Sequence, residues 1–329
     1  MHHNPCDNCG GEAFAQAIGS AFLKVAQDVP YSRGVVGAGQ GEVGEKVHLF
    51  LGGRLSPNTL DLASSTMMIW LNGEWKNEEQ ASVSVSDGAY LRGEGCFETM
   101  LACRGRVFEL GRHWLRFERA CQRLGIELLD CEAARSVAEG LLERNAFEPD
   151  QRVRLRVTRS PQSLLFTAKV APPAPKQLIL HRTQYCRNEQ SALAGMKVIS
   201  YGENALALAE AKRKGADEIL FENTRGEWCE GAWSNVFAVE GGTLLTPPLS
   251  SGCLPGVTRE VVMSLAEKAG LEPEEEVRSI AQLQGVDELF LTSSVLGVGA
   301  VAEFDGRPLQ EGPVTKLLAG LLREREMGG

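Results

Sequence analysis

The chain has 329 residues, a formal net charge of −9, and 43% hydrophobic and 23% charged residues, which is ordinary for a globular protein of about two domains. Its acidity argues against nucleic acid or an anionic membrane as a partner, since both recruit clustered Lys and Arg. We expect a cytoplasmic protein, because no apolar run approaches the roughly 20 residues that span a bilayer, no signal peptide is recognisable, and the nine cysteines follow no disulfide framework.

Residues 1–66 differ from the rest of the chain. They are rich in glycine, as in GVVGAGQGEVGEK, and contain one short helical pattern and no clear pair of strands. A zinc ion needs four ligands, and the lone CxxC from Cys6 to Cys9 supplies two, so we predict no metal site. We interpret this segment as a flexible extension or as sequence that precedes the natural start.

From residue 67 onward, strand and helix patterns alternate. MMIWLNGEW predicts a hairpin with an Asn-Gly turn, ASVSVSD (residues 81–87) predicts a strand, and GCFETMLACRGRVFEL predicts two strands joined by a turn. Two helices follow, the first amphipathic and ending at Gly125, and then strands at QRVRLRVTRS and SLLFTAKV. The segment APPAPK, residues 171–176, is a linker candidate, because consecutive prolines cannot donate to a strand ladder.

The second half repeats this alternation. It contains a strand at QLILHRT, a helix after GMKVISYGEN, paired strands at EILFENTRGEWCEG and SNVFAVEGGTLLTPP, a helix that Pro255 and Gly256 open, and a strand at DELFLTSS. We therefore predict an α+β protein, with a small domain at 67–170 and a larger domain at 177–329.

Four features of the larger domain could carry chemistry. Lys197 lies between a strand and a helix, Glu230 ends a strand, Val257 and Thr258 start a helix with free backbone N–H groups, and hydroxyls at 292–294 end another strand. Each alone has an ordinary structural explanation, such as a solvated charge, a turn or a cap. As a set they match pyridoxal phosphate, which needs a lysine amine, an acid beside its pyridine nitrogen, and N–H and hydroxyl groups for its phosphate.

At this point the chain resembles the fold-type IV pyridoxal phosphate enzymes, which include branched-chain and D-amino acid aminotransferases and aminodeoxychorismate lyase. The resemblance covers about residues 69–329 and rests on SDGAYLRGEGCFETM, RVFELGRHWLRFERACQRLGI, MKVISYGENALALAEAKRKGADEIL, GEWCEGAWSNVF, LLTPPLSSGCLPGVTRE and DELFLTSSVLGV. It implies a two-domain fold of the D-amino acid aminotransferase type, Lys197 as the catalytic residue, and a homodimer.

The resemblance also assigns contacts with the cofactor, pyridoxal 5'-phosphate. It gives the phosphate to Arg116, to the helix start at Val257 and Thr258, and to Ser294. It gives the pyridine nitrogen to Glu230, the ring face to Leu254 and the phenolic oxygen to Tyr201.

The reaction type depends on the substrate pocket. Branched-chain enzymes carry F-E-G-x-R where this chain has Phe97-Glu98-Thr99-Met100, and D-amino acid enzymes carry R-x-H where it has Gln162-Ser163-Leu164. GEGCFETM, ACQRLGI and TSSVLGV are instead similar to aminodeoxychorismate lyase, which releases pyruvate from 4-amino-4-deoxychorismate to give 4-aminobenzoate for folate synthesis. We predict the lyase, with a branched-chain or D-amino acid aminotransferase and a catalytically silent binding paralogue as alternatives.

Substrate contacts are predicted at Phe97, Arg92 and Arg159. Arg92, Arg156 and Arg159 could receive a dicarboxylate substrate, although alternating arginines on a half-exposed strand are typical of a solvated face. Glu98 either braces Arg116 or lines the pocket.

Overall fold

The computed structural model describes residues 67–175 and 177–328, so the predicted extension at 1–66, with Cys6 and Cys9, lies outside the described residues. The strands within this range are β1 (Met68–Leu71), β2 (Glu74–Asn77), β3 (Cys96–Cys103), β4 (Arg106–Val107), β5 (Val153–Arg159), β6 (Leu164–Val170), β7 (Leu178–Arg187), β8 (Glu218–Asn223), β9 (Trp228–Gly231), β10 (Asn235–Glu240), β11 (Thr243–Thr246), β12 (Pro273–Glu275), β13 (Glu288–Ser293), β14 (Gly297–Phe304) and β15 (Arg307–Pro308). The helices are α1 (Gly88–Arg92), α2 (Leu110–Leu124), α3 (Cys131–Arg144), α4 (Gly202–Arg213), α5 (Val257–Lys268) and α6 (Pro313–Glu326), with 3-10 turns at Glu78–Gln80, Leu249–Ser251 and Ile280–Gly285.

The strands form two sheets. The first sheet is antiparallel, in the order β2-β1-β6-β5-β3-β4. The second sheet is mixed, in the order β12-β11-β10-β13-β14-β7-β8-β9, with β15 paired to β14. Both sheets belong to one compact unit of the chain. No helix in the part of the chain that the structure describes is long and apolar enough to cross a membrane.

Helices α2 and α3 cover one face of the first sheet. The buried side chains of α2 recur at helical spacing, so its apolar stripe packs on the sheet, with Trp114 and Phe117 against Phe166 and Leu155 in one core cluster. The helix stops at Gly125, whose φ of 67° suits glycine. This arrangement leaves the opposite face of the first sheet free to form the wall of a site.

The second sheet is packed by α5 and α6. Phe237 and Phe290 stack in parallel on neighbouring strands, with ring centroids 5.0 Å apart, and join Val262 and Leu318 in a single cluster. The buried carboxylate of Glu288 accepts hydrogen bonds from the backbone N–H groups at the start of α6. The sequence patterns left this helix and β14 unassigned.

The strand predicted at residues 81–87 is wrong. The structure has no strand there, and Val83 and Val85 are exposed. Alternation of apolar and polar residues produces a strand only where a neighbouring strand and a covered face are present, and this segment finds neither. It ends instead at Asp87, whose carboxylate accepts from Ala89 N at 2.8 Å and begins α1.

The other elements predicted from residue 67 onward are confirmed, and the helical pattern within residues 1–66 lies outside the described residues. The Asn72-Gly73 turn closes β1 and β2, the prolines at 172–175 separate the first sheet from β7, and the helix opened by Pro255 and Gly256 is α5. The domain boundaries at 67–170, 171–176 and 177–329 stay a prediction. They coincide with the division of the strands between the two sheets.

The two sheets are joined by backbone pairing between β3 and the segment that precedes α4. Phe97 N donates to Lys197 O at 2.9 Å, and Ile199 N donates to Gly95 O at 3.0 Å. At Gly95, where φ is 142°, a Cβ would lie 2.3 Å from Arg159 O of the neighbouring β5 and 2.6 Å from Ile199 Cδ1, so this close approach needs glycine. Lys197 is thereby fixed between the sheets.

A buried carboxylate orders the loop after β9. Glu218 Oε1 accepts from Ile219 N at 2.9 Å and Ala232 N at 3.0 Å, while Oε2 accepts from Trp233 N at 3.2 Å and Ser234 Oγ at 3.0 Å. Burial raises the pKa of Glu218 to about 7, the four hydrogen bonds oppose that rise, and the ionised carboxylate satisfies all four donors because both of its oxygens only accept. The loop that it orders forms part of the cavity described below.

We therefore expect Glu218→Gln to lower the free energy of unfolding by about 2–4 kcal/mol, because the amide NH2 would face donors that then lack an acceptor. Urea unfolding of the purified protein measures this loss. The control is Glu222→Gln on the same strand, whose partly exposed carboxylate pairs with Arg182 and should cost less than about 1 kcal/mol. Equal losses in the two variants would contradict the role of Glu218.

Candidate active site

A cavity of about 640 Å³ lies between the two sheets. Its wall includes β3 and β5 from the first sheet and β9, β10 and the end of β13 from the second. The predicted site residues that line it are Phe97, Arg116, Lys197, Tyr201, Glu230, Leu254, Val257, Thr258 and Ser294.

The Lys197 amine lies over the ring of Phe97, with Nζ 4.7 Å from the ring centroid. Burial lowers the pKa of Lys197 to about 8, with the charges of Arg116 and Arg156 acting in the same direction and those of Glu98 and Glu230 opposing. A substantial neutral fraction is therefore present near neutral pH, and the neutral amine is the nucleophilic form. A solvated lysine would be almost fully protonated at that pH.

Glu230 lies near the end of β9 with both carboxylate oxygens engaged. Oε2 accepts from Leu254 N at 2.8 Å, and Oε1 accepts from Arg187 Nε at 3.1 Å. Burial raises the pKa of Glu230, and the neighbouring Arg187 opposes that rise. Arg187 also contacts Glu203 and stacks over Phe221, so its guanidinium is fixed beside Glu230.

Arg116 is braced by Glu98, which settles the two alternatives for Glu98. Arg116 Nε and Nη2 donate to the two Glu98 oxygens at 2.7 and 2.8 Å, and Nη1 donates to Pro255 O at 2.9 Å. This bidentate pair fixes the guanidinium plane. Burial acts to raise the pKa of Glu98, but Arg116 and His113 outweigh it and lower that pKa to about 2.

His113 extends the pair to Ser294. Its Nδ1 lies 2.9 Å from Glu98 Oε2 and its Nε2 lies 3.4 Å from Ser294 Oγ. The ionised carboxylate only accepts, so Nδ1 donates to it. Burial lowers the pKa of His113, so the neutral ring leaves Nε2 to accept from the Ser294 hydroxyl.

The start of α5 has free backbone N–H groups of the kind that bind anions. Helices leave their first N–H groups without intrahelical partners, and here these belong to Val257 and the residues after it. Asn235 Nδ2 donates to Leu254 O at 2.9 Å and fixes the turn. A Cβ on Gly256 would lie 1.9 Å from Asn235 Oδ1, so this close approach needs glycine.

Tyr201 lines the cavity, but its hydroxyl proton has a protein partner. Tyr201 OH donates to Ala232 O, and burial raises the pKa of Tyr201 to about 12. Its oxygen can still accept a hydrogen bond from the cavity side. The predicted contact with the phenolic oxygen of the cofactor stays a prediction, and nearby Ser200 is turned away, donating to Gly93 O at 2.8 Å.

Arg92 and Arg159 are not among the described residues that line the cavity, and their contact with substrate stays a prediction. Arg159 alternates in phase with the core residues Leu155 and Val157, so its side chain lies on the face of the sheet that is turned away from the cavity. Its Nε donates to Glu127 O at 2.8 Å. Arg92 ends the short helix α1 and pairs with Glu94 at the surface.

Sequence reasoning missed several cavity residues. Arg187, Asn235 and Arg154 lie in the wall, and only the fold brings them to the same cavity as Lys197. The alternation of Arg154 and Arg156 with buried aliphatic residues on β5 was a usable signal, because it places both arginines on one face.

Comparison with known proteins identifies the family. The family model described as "Amino-transferase class IV" matches residues 95–304. The chain belongs to the class IV aminotransferase family. A Methanocaldococcus jannaschii protein, provisionally assigned as a branched-chain-amino-acid aminotransferase, is 34% identical over 271 residues, covering 77% of this chain and 94% of that protein. A Staphylococcus epidermidis D-alanine aminotransferase is 28% identical over 265 residues, covering 75% of this chain and 92% of the relative.

Solved structures show the same fold. The branched-chain aminotransferase of Thermoproteus uzoniensis, solved with norvaline, has a TM-score of 0.75 at 28% identity and covers 80% of this chain and 95% of its own. A Brucella abortus aminotransferase bound to pyridoxal phosphate has a TM-score of 0.73 at 27% identity, and the match covers 79% of this chain and 99% of that chain. This chain therefore has the fold-type IV architecture and is a pyridoxal phosphate-dependent enzyme of the class IV aminotransferase family.

The cavity of this chain fits that cofactor. Thr292 Oγ1 is buried in the wall and makes no hydrogen bond within residues 67–175 and 177–328, so it has capacity for a ligand oxygen. A half-buried amine, a half-buried carboxylate and a braced guanidinium with a helix start supply the three kinds of group that the aldehyde, the pyridine nitrogen and the phosphate require.

The Glu98 carboxylate generates a testable pH dependence. Its pKa of about 2 lies below the ordinary 4.5, so ionised Glu98 stabilises the fold by about 3 kcal/mol above pH 5, and this contribution is lost as pH falls from about 4.5 toward 2. We expect Glu98→Gln to be less stable than wild type at pH 7, by a difference that shrinks by pH 3. Urea unfolding at pH 7, 4 and 3 measures it.

The matched control is Glu94→Gln, which removes only the exposed pair with Arg92 and should change stability little at any of these pH values. A difference between wild type and Glu98→Gln that stays constant from pH 7 to pH 3 would contradict the pairing described here.

Proposed function

We propose that this enzyme is a 4-amino-4-deoxychorismate lyase, with Lys197 as its catalytic residue. The observation that carries this proposal is the wall that faces Lys197. Thr99 lines the cavity where the branched-chain motif has glycine, and the buried aliphatic side chain of Leu101 stands where that motif has arginine. The wall therefore lacks the glycine and arginine that the branched-chain motif contains.

The segment that corresponds to the R-x-H motif of the D-amino acid enzymes also has other partners. Gln162 Oε1 accepts from Gly88 N at 3.0 Å, Ser163 Oγ donates to Asp87 Oδ2 at 2.5 Å, and Leu164 is buried in the core of the first sheet. None of the three lines the cavity among the described residues. This supports a substrate other than those of the two aminotransferase specificities.

The chemistry can be derived from the groups of this chain. The cofactor, when bound, supplies a sink for the electron pair released at the substrate carbon that bears the amine. The neutral Nζ of Lys197, when the cofactor does not hold it, would be the base that removes the proton from that carbon. Cleavage of the C–O bond at the adjacent ring carbon would then release the enolate of pyruvate, the protonated Lys197 amine would return the proton to give pyruvate, and the ring would be left as 4-aminobenzoate.

Two other groups support that step. Glu230 offers an anionic carboxylate to a protonated pyridine nitrogen, and Arg187 favours its ionised state despite burial. Arg116 and the start of α5 offer a cation and N–H donors to the phosphate dianion. Glu98 fixes the guanidinium of Arg116 for this contact.

A second candidate is an aminotransferase. The 34% identity with the M. jannaschii relative favours it, and both candidates use the same Lys197, Glu230 and Arg116. A catalytically silent paralogue is disfavoured, because folding alone does not require a buried lysine amine opposite a buried carboxylate.

The homodimer and the cytoplasmic location also belong to this proposal. Apolar side chains exposed along one short segment, Val83, Val85, Tyr90 and Leu91, offer a surface on which a second copy could pack.

We predict that the purified protein with bound pyridoxal phosphate converts 4-amino-4-deoxychorismate to pyruvate and 4-aminobenzoate. Chromatography measures the 4-aminobenzoate, and a coupled enzyme assay measures the pyruvate. Lys197→Ala should lose the cofactor absorbance band and at least about 1,000-fold of the rate, because the base and the cofactor's covalent partner are one residue.

Lys212→Ala is the control, since this lysine is exposed on α4. Amino transfer from a branched-chain or D-amino acid to a 2-keto acid, without pyruvate from aminodeoxychorismate, would replace the lyase by the second candidate. A colourless protein that takes up no pyridoxal phosphate would overturn both.

A further inference from the structure

His113 lies between a carboxylate and a hydroxyl. Its side chain is 1% exposed, and its two ring nitrogens lie 2.9 Å from Glu98 Oε2 and 3.4 Å from Ser294 Oγ. Ser294 lines the cavity, whereas Glu98 is buried beside Arg116. The imidazole ring therefore connects a buried anion with a hydroxyl that a ligand in the cavity can reach.

Glu98 determines which ring nitrogen of His113 carries a proton. Its Oε1 accepts from Arg116 Nε at 2.7 Å, and its Oε2 accepts both from Arg116 Nη2 at 2.8 Å and from His113 Nδ1. A carboxylate that receives donors on both oxygens is ionised and has no proton to give, so Nδ1 must be the donor to it. The charge of the ring is then decided at Nε2 alone.

The neutral ring and the imidazolium orient the Ser294 hydroxyl in opposite ways. With no proton on Nε2, the hydroxyl donates to that nitrogen and presents only oxygen lone pairs to the cavity. Phosphate oxygens are acceptors, so they gain no hydrogen bond from a hydroxyl in this orientation. When Nε2 is protonated it donates to Ser294 Oγ, and the hydroxyl proton becomes available to a phosphate.

The charges around His113 make its protonation responsive to an anion. Burial, Arg116 on the same helix and Lys197 on the segment before α4 favour the neutral ring and lower the pKa of His113, whereas Glu98 on β3 opposes them. A phosphate held by Ser294 adds a negative charge on the Nε2 side of the ring. Nearby negative charge favours the imidazolium, so this anion would act together with Glu98.

We propose that His113 takes up a proton when the cofactor phosphate binds, so that Glu98, the His113 imidazolium and Ser294 form a chain of hydrogen bonds that ends on the phosphate. His113 is then a positioning residue, because its charge directs the Ser294 hydroxyl toward the ligand. The inference goes beyond the proposed reaction, since a lyase and an aminotransferase would hold the same cofactor. It rests on the predicted contact between Ser294 and the phosphate.

The test counts the protons taken up when the full-length protein, freed of cofactor, binds pyridoxine 5'-phosphate. This probe carries the phosphate but no aldehyde that could react with Lys197. Calorimetry at about pH 7.5 in buffers of different ionisation enthalpy gives the proton count, and the phosphate monoester is already largely dianionic there because its second pKa is about 6. Wild type should take up about half a proton or more in excess of His113→Asn, whose amide can donate to Glu98 but cannot be protonated.

The affinity should depend on pH with the same sign. A ligand that binds together with a proton binds more weakly as pH rises, so the dissociation constant of wild type should rise by about threefold more than that of His113→Asn between about pH 7 and pH 8. His181→Asn is the matched control, because that ring pairs with Asp305 at 3.0 Å and is not among the described residues that line the cavity. It should behave as wild type does.

Ser294→Ala tests whether the hydroxyl connects the ring to the phosphate. This variant keeps His113 and its bond to Glu98, so a proton drawn by the charge of the ligand alone would still be taken up. The chain of hydrogen bonds instead predicts that Ser294→Ala has the proton count of His113→Asn. It should also bind pyridoxine 5'-phosphate about 10-fold more weakly than wild type, because a hydrogen bond to a charged group is lost.

Equal proton counts in wild type and His113→Asn would overturn the proposal. Full proton uptake in Ser294→Ala would do so as well, and so would an unchanged affinity in that variant, which would remove the contact with the phosphate. Should His113→Asn fail to fold, Ser294→Ala and His113→Gln, which also cannot be protonated, decide by the same comparison. The lyase assay is separate, so a protein with the predicted proton counts that does not cleave aminodeoxychorismate would lose the proposed reaction and keep this inference.

Discussion

The site depends on the backbone pairing between β3 and the segment before α4. The bonds from Phe97 N to Lys197 O and from Ile199 N to Gly95 O extend the first sheet onto a segment of the second half of the chain. They place the Lys197 amine between the sheets, where its pKa falls to about 8. The same strand supplies Phe97 and Thr99 to the cavity on one face and Glu98 to the opposite face.

This alternation lets one strand serve two purposes. Glu98 points toward the helices, where it fixes Arg116 and His113, and through them the groups near the start of α5. Phe97 points into the cavity, where Lys197 and Arg156 share its ring. A single register of β3 therefore aligns the predicted phosphate site and the predicted substrate site around one amine.

The electrostatics of the cavity oppose the acidity of the whole chain. The net charge is −9, yet five cationic side chains, those of Arg116, Arg154, Arg156, Arg187 and Lys197, line one cavity. Glu98 and Glu230 compensate the cations that position the predicted cofactor site. Arg154 and Arg156 have no such carboxylate partner in the described part of the chain, so the cavity keeps a positive potential that favours an anionic ligand.

The sequence predicted most of the fold because hydrophobic period and turn chemistry are local. Short local signals each determine the backbone conformation where they occur, as at the Asn72-Gly73 turn, at Gly125 and at the Pro255-Gly256 helix start. The strand at 81–87 failed because pairing depends on neighbours that no local pattern reveals. Arg187 and Asn235 were beyond prediction for the same reason, since only the fold brings them to the cavity of Lys197 and Glu230.

The central claim is that Lys197 is the buried amine around which the site is built. Reduction of the protein loaded with pyridoxal phosphate by borohydride fixes the cofactor to the amine that holds it, and peptide mapping by mass spectrometry locates that amine. We predict one modified peptide, with the pyridoxyl group on Lys197. A group on a different lysine, or no modified peptide from a yellow protein, would contradict the claim.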